Sequence, residues 1–406
     1  MADIQRSTTR VKGFNDAEMD FQLIRQMGSS AYGAASVGAC LSVADRIQDG
    51  DPSSWVDAFT KLATWQEKDA KERAAKGHVV SARAQLFHAC NSYRAAEYYT
   101  SCREPRHREL GLKSRSCFTE AMSYVQHTFE ETMLPYKAIK LPVYFMAPNP
   151  HVEKRKTLII MSGFDGTREE EYFMRGYPAL ERGYNILHVA GPGQMDVFRF
   201  YTDTHFEPDY ENPLRTAIDF LAERPEVDME RLAMLGISFG GYFATRATAH
   251  EPRIKALIGN SPILNLHDYL VAFIGSDPAE APEEENFQVE DLPAIPKEKL
   301  SRELKMACEN VMIRFGQPSF RDTFIYLREF TVGEAVSNIT CPSLALVGTG
   351  EGGEPEKQYQ EFCTNVSGPV ASYTFTDFEG AGTHCQVGNP AFAAVVTLDW
   401  LDELFD

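Results

Sequence analysis

Apolar positions along this chain change period once, near residue 135. Before that point residues 15–27, 32–47, 55–75, 81–99 and 106–133 place apolar side chains three and four apart, the spacing of one helix face. Asp51-Pro52 offers an N-cap followed by proline at the first helical position, and Gly77 closes that helix. From about Lys137 short apolar or alternating runs take over, at 139–145, 157–161, 185–189, 232–237, 256–259, 343–347 and 372–375. Helical segments at 172–182, 213–223, 242–250, 356–363 and 391–404 separate most of them. Strands alternating with helices predict an α/β fold, a mostly parallel sheet with helices on both faces. The alternation stops between residues 266 and 337, where 276–298 is acidic and proline-rich. An insertion there sits over the carboxyl ends of the strands, where ligands bind in such sheets. The organisation expected is a helical N-terminal cap domain over 1–135 and a catalytic domain over 136–406, with a lid insertion over 266–337.

The apolar run 232–237 feeds Gly236-Ile237-Ser238-Phe239-Gly240, and residues 242–250 read as a helix. Strand, sharp turn and helix are the setting a G-x-S-x-G nucleophile requires. A serine at the tip of so tight a turn is strained, and the flanking glycines let strand and helix approach. Ser238 is therefore the expected nucleophile, with the Phe239 amide turned toward a developing oxyanion.

A serine hydroxyl needs a base, and the base needs a carboxylate to fix its tautomer. In the α/β-hydrolase order these follow the serine as acid, then histidine. The run 343–347 leads into Gly348-Thr349-Gly350-Glu351-Gly352-Gly353-Glu354, so Glu351 is the expected acid, with Glu354 in reserve and Asp377 behind it. The last strand leads into Gly380-Ala381-Gly382-Thr383-His384, so His384 is the expected base. A second oxyanion donor belongs in the loop after an earlier strand, and Phe164 of Ser162-Gly163-Phe164-Asp165-Gly166 fits. Asp165 either shapes that turn or approaches the substrate.

Two other groups are candidates for substrate contact. Residues 81–99 carry Phe87, Tyr93, Tyr98 and Tyr99 with Arg94 among them. Such a stripe is core by default, with Tyr93, Arg94 and Tyr98 as cavity-lining residues on the second reading. His267, Asp268 and Tyr269, just past the run 256–259, are placed to position a water or hold a ketone oxygen.

Composition narrows the partners. The net charge of -18 opposes nucleic acid or an anionic membrane, since both need a basic face. The polar start and the absence of a long apolar run predict neither a secretory signal nor a membrane span. Eight cysteines stand singly, as expected of reduced thiols in a cytoplasmic protein. Gly348-x-Gly350-x-x-Gly353 matches a dinucleotide fingerprint, but it lies too near the C-terminus and sets two glutamates where a pyrophosphate would sit. With no P-loop lysine and no H-E-x-x-H, no cofactor and no metal are expected. The oligomeric state is open, with a homodimer allowed.

The Ser162-Gly163-Phe164-Asp165-Gly166 loop, the Gly191-Pro192-Gly193-Gln194 turn, the Ser238 motif and the Gly380 to Cys385 loop resemble α/β-hydrolases that carry a helical N-terminal domain. So do Asp49-Gly50-Asp51-Pro52-x-x-Trp55 and the stretch from Ser81 through Arg94. That group includes 2,6-dihydroxypseudooxynicotine hydrolases and fungal polyketide-shortening hydrolases, with related polyketide acyltransferases. The resemblance implies C–C hydrolysis beside a ketone, or acyl transfer from a thioester, through Ser238, Glu351 and His384. It implies a polyketide-like small molecule as partner, free or delivered as a thioester. The nicotine-pathway enzymes carry a further carboxylate after the nucleophile, and residues 260–270 offer no glutamate to match it. Three readings follow: a hydrolase of a β-diketone or acyl bond, an acyltransferase or chain-fusing enzyme with the same serine, and a binding protein that kept the fold.

Overall fold

The computed structural model describes residues 11–280 and 302–406. Five helices come first: α1 (Ala17–Gly28), α2 (Val37–Ala44), α3 (Pro52–Ala75), α4 (Val79–Tyr98) and α5 (Pro105–Met122). Asp51 caps α3 by accepting the Ser53 amide, with Pro52 at the helix start. Helix α5 stops well short of residue 133. Residues Thr128–Tyr136 instead form β1, whose Thr128-Phe129-x-x-Thr132 stretch suits an extended, half-buried edge better than a helix. A tight turn at Lys137 and Ala138 pairs Tyr136 with Ile139 and returns the chain as β2 (Ile139–Ala147).

Strand β3 (Arg155–Met161) leads into α6 (Arg168–Glu171), a π-turn over Tyr172–Gly176, α7 (Tyr177–Glu181) and β4 (Asn185–Val189). The short α8 (Met195–Phe198) and α9 (Glu211–Ala222) precede β5 (Val227–Ile237), α10 (Gly240–His250) and β6 (Ala256–Asn260). Next come α11 (Leu266–Ile274), α12 (Arg302–Phe315) and α13 (Phe320–Leu327), then β7 (Ser343–Gly348), α14 (Gly353–Asn365), β8 (Val370–Phe375) and α15 (Pro390–Phe405). Most of the acidic stretch 276–298 lies outside the described residues.

The eight strands form one sheet in the order β1-β2-β4-β3-β5-β6-β7-β8. It is parallel from β4 to β8, with β1 and β2 antiparallel at one edge. Alternate side chains serve opposite faces, as strand geometry dictates. Leu158, Ile160, Leu235 and Ile258 join the core shared with α1, α3, α4, α5 and α15. Ile159, Met161, Met234 and Leu257 join the core shared with α9, α10, α13 and α14. The N-terminal helices thus continue one face of the sheet. No helix among the described residues is long and apolar enough to cross a membrane.

Candidate active site

Ser238 stands where β5 ends and α10 begins, with φ at 59°. That left-handed conformation is costly for a side chain with a Cβ and persists only where its surroundings impose it. Here the Ser238 amide donates to the Asn260 carbonyl at the end of β6 (2.8 Å), and the Gly241 amide donates to the Ser238 carbonyl (2.7 Å). A Cβ on Gly236 would meet the Gly240 carbonyl oxygen at 1.9 Å, so the crossing of β5 and α10 requires glycine there.

Ser238 Oγ lies 3.0 Å from His384 Nε2, and His384 Nδ1 lies 2.6 Å from Glu351 Oε2. The buried Glu351 also accepts the Gly348 amide on Oε1 (2.8 Å), which fixes its carboxylate against the end of β7. Burial opposes charging of His384. Its interactions with Cys385 and Glu351 outweigh it and hold the imidazole pKa above its ordinary value. Burial pushes the Cys385 thiol up, so at neutral pH the Glu351 carboxylate is the charge that acts on His384. Glu354, the reserve acid, turns away to Lys357 (3.3 Å) and Gln358 (2.9 Å). The loop carrying His384 is tied to β6 through Gln386, whose Oε1 accepts from Asn260 Nδ2 at 2.8 Å.

The loop after β3 runs against the serine: a Cβ on Gly163 would come within 2.6 Å of Ser238 Cβ. Gln194 holds this loop, donating to the carbonyls of Ser162 (2.6 Å) and Gly163 (3.3 Å). Its Oε1 accepts the Gly191 amide (2.7 Å) and the Tyr210 hydroxyl (3.1 Å). The Gly163 carbonyl belongs to the same peptide unit as the Phe164 N–H, so the bond from Gln194 polarises that N–H. Neither the Phe164 nor the Phe239 amide is engaged by another group among the described residues. From the insertion, the buried Arg314 of α12 reaches the same loop, donating to the Phe164 carbonyl at 2.9 Å and to the Gly193 carbonyl.

A cavity opens beside Ser238 and His384, with Asp165 and Glu171 in its wall and Phe21 and Arg25 of α1 closing it. Arg25 donates to Glu170 through Nε (2.6 Å) and Nη2 (2.5 Å) and to Asp165 through Nη1 (3.2 Å). One helical residue thereby ties the loop after β3 to α6.

The remaining sequence candidates are not brought to this cavity. Tyr93 points between α3 and α4, its hydroxyl on Glu67 (2.7 Å) and 3.3 Å from Thr64. The stripe is core because α4 is packed on both sides. Arg94 is buried behind Arg25, 3.6 Å from Glu170. Tyr98 hydrogen-bonds Glu18 (2.7 Å) and lies under the Arg25 guanidinium. His267 is held by Asp268 (3.1 Å) and Asp277 (3.3 Å), while the Asp268 side chain is 47% exposed, so α11 turns both from the serine. Tyr269 packs edge-on with the Phe239 ring, centroids 6.2 Å apart.

Residues 119–276 match the X-Pro dipeptidyl-peptidase (S15) family. The 20-hydroxy-prefusarin hydrolase FUS2 of Gibberella moniliformis is 35% identical over 63% of this chain, and the match spans 63% of that protein's length. Hydrolase LUC6 of a Fusarium species is 27% identical over 97% of both chains. Among solved structures, 2,6-dihydroxy-pseudo-oxynicotine hydrolase superposes with a TM-score of 0.70 at 20% identity, covering 92% of this chain and 94% of its own. The chain is an α/β-hydrolase by fold, with a helical N-terminal region, and it resembles these fungal hydrolases and the pseudo-oxynicotine enzyme.

Proposed function

We propose that this chain is a serine-dependent hydrolase of a small polyketide-type substrate, cleaving an acyl or β-diketone bond through an acyl-Ser238 intermediate in fungal secondary metabolism. The observation that carries this reading is the unbroken relay from Ser238 Oγ to His384 Nε2 (3.0 Å) and from His384 Nδ1 to Glu351 (2.6 Å). In this reading His384 takes the serine proton as Oγ attacks the substrate carbonyl, and Glu351 holds the tautomer and balances the imidazolium. The Phe164 and Phe239 amides receive the oxyanion. Collapse expels the leaving alcohol, thiol or enolate, which takes the proton from His384. A water activated by the same imidazole then releases the acid and restores the serine.

The names of the relatives support the reaction class: FUS2 is a 20-hydroxy-prefusarin hydrolase, and LUC6 and ORFZ of Pyricularia oryzae are named hydrolases. The test is turnover of p-nitrophenyl esters, polyketide thioesters and 1,3-diketones in heavy-oxygen water. Label is expected in the released carboxylate, with a loss of at least ~10³-fold in Ser238→Ala. An unlabelled acyl group joined to a second substrate would instead establish an acyltransferase.

A further inference from the structure

Residues Arg168-Glu169-Glu170-Glu171 read as a solvated charge run, yet all four side chains are buried. Glu169 is satisfied by Tyr144 (2.7 Å) and Arg199 (3.0 Å), and Glu170 by Arg25. Glu171 is different. It is 4% exposed, its Oε2 has no hydrogen-bond partner among the described residues, and it faces the cavity that Ser238 and His384 share.

The charges around it explain why no cation answers it. Glu170 precedes it on the same turn, and Asp165 lies on the loop opposite. Arg25 is occupied by those two carboxylates. Arg175 turns its Nη atoms to the carbonyls of Met174 (2.9 Å) and Pro390 (3.3 Å) and to Gln386 (3.4 Å), and no hydrogen bond joins it to Glu171 among the described residues. Cys385 and His384 close the cavity on the other side. Burial, then the Glu170 charge, push the Glu171 carboxyl up to about 8. At neutral pH it is a carboxylic acid with one O–H to donate.

We propose that Glu171 is a substrate-binding residue whose carboxylic acid donates a hydrogen bond to a second carbonyl or enolate oxygen of the substrate, selecting dicarbonyl compounds. The inference rests on the acyl-serine reading, in which the attacked carbonyl oxygen occupies the Phe164 and Phe239 amides. Glu171 then serves a different oxygen of the same molecule. An ionised Glu171 would repel an enolate there, so the protonated form is the one that fits the reaction.

The probe is 2,2-dimethyl-1-phenylbutane-1,3-dione, a dicarbonyl with no acidic proton between its ketones. Its inhibition of p-nitrophenyl butyrate hydrolysis is measured across about pH 6 to 9.5 in the wild type, Glu171→Gln and Glu171→Ala. Inhibition of the wild type should weaken as pH rises through about 8. Glu171→Gln, which keeps a donor and cannot ionise, should inhibit evenly across the range. Glu171→Ala should bind the diketone about tenfold more weakly than wild type below about pH 8, with the difference vanishing above it, and this change should exceed its change in ester turnover. Equal effects of Glu171→Ala on ester and diketone, or no inhibition of the wild type, would overturn the proposal. Failure of the serine reading shows separately, as ester turnover unaffected by Ser238→Ala. Calorimetry of diketone binding to that variant then gives the same pH comparison for Glu171.

Discussion

Glu351 Oε2 lies 2.6 Å from His384 Nδ1 while its other oxygen accepts the Gly348 amide at 2.8 Å. The carboxylate is therefore fixed before it orients the imidazole, and its removal should be felt in the chemistry more than in folding. Glu351→Gln is expected to lower kcat by about 10³-fold or more, as in other triads with the wrong tautomer. Glu354→Gln, whose carboxylate meets only Lys357 and Gln358, should stay within about threefold of wild type. Steady-state kinetics of the two variants decide the acid, and the reverse ranking would move the role to Glu354.

His384 supplies a pH signature. Its raised pKa means the neutral base is depleted at low pH, so kcat/KM should climb as pH rises toward that value. The same interaction stabilises the folded chain below the ordinary histidine pKa and fades as pH rises through the raised one. Glu351→Gln removes the charge that favours imidazolium, so the acid limb of its residual activity should shift to lower pH. An unmoved limb would assign it to another group.

Gln194 is expected to act on the reaction without touching substrate. Gln194→Ala frees the carbonyls of Ser162 and Gly163 and loosens the loop that presents the Phe164 amide. We expect kcat to fall by about tenfold or more with KM changed far less, because an oxyanion donor acts chiefly in the transition state. A rise in KM alone would place Gln194 in substrate binding instead.

Arg25→Met should destabilise the chain by about 3 kcal/mol, since it strands Glu170 in the interior with only Arg94 nearby. Denaturant unfolding measures this. Arg25→Lys should recover part of it, as lysine lacks the fork that grips Glu170 and Asp165 together.

Glu171 gives a stability prediction with the opposite sign to a paired carboxylate. The unfolded chain ionises it near the ordinary glutamate value, while the folded chain keeps its proton until about 8. The folded state binds more protons in that window, so stability falls as pH rises through it. Glu171→Gln should remove this component and melt about 3 °C or more above wild type at pH 8.

The sheet was legible in the sequence because strands buried on both faces read as apolar runs, and the β5 turn because only glycine permits its crossing. Strand β1 was not, because Glu130 and Glu131 break its apolar alternation and its side chains are only half-buried. Ser238, Glu351 and His384 could be ordered because each follows a strand end. Arg25, Gln194 and Arg314 gave weaker signals or none: each acts on the oxyanion loop from a distant part of the chain. The burial of the run Glu169 to Glu171 left no signal in the sequence for a similar reason. Its burial depends on cations more than 25 residues away, and charge patterning reports only neighbours. The aromatic stripe around Tyr93 lies in the core, apart from the residues that line the cavity.

Helix α1 closes the cavity with Phe21 and Arg25, although the serine, acid and histidine all come from loops at the ends of β5, β7 and β8. One wall of the cavity thus comes from a helix far in sequence from Ser238 and His384. Variation confined to the codons of α1 can reshape what reaches the serine while leaving the reacting atoms alone. A library randomised there is a direct route to altered substrate range in this scaffold.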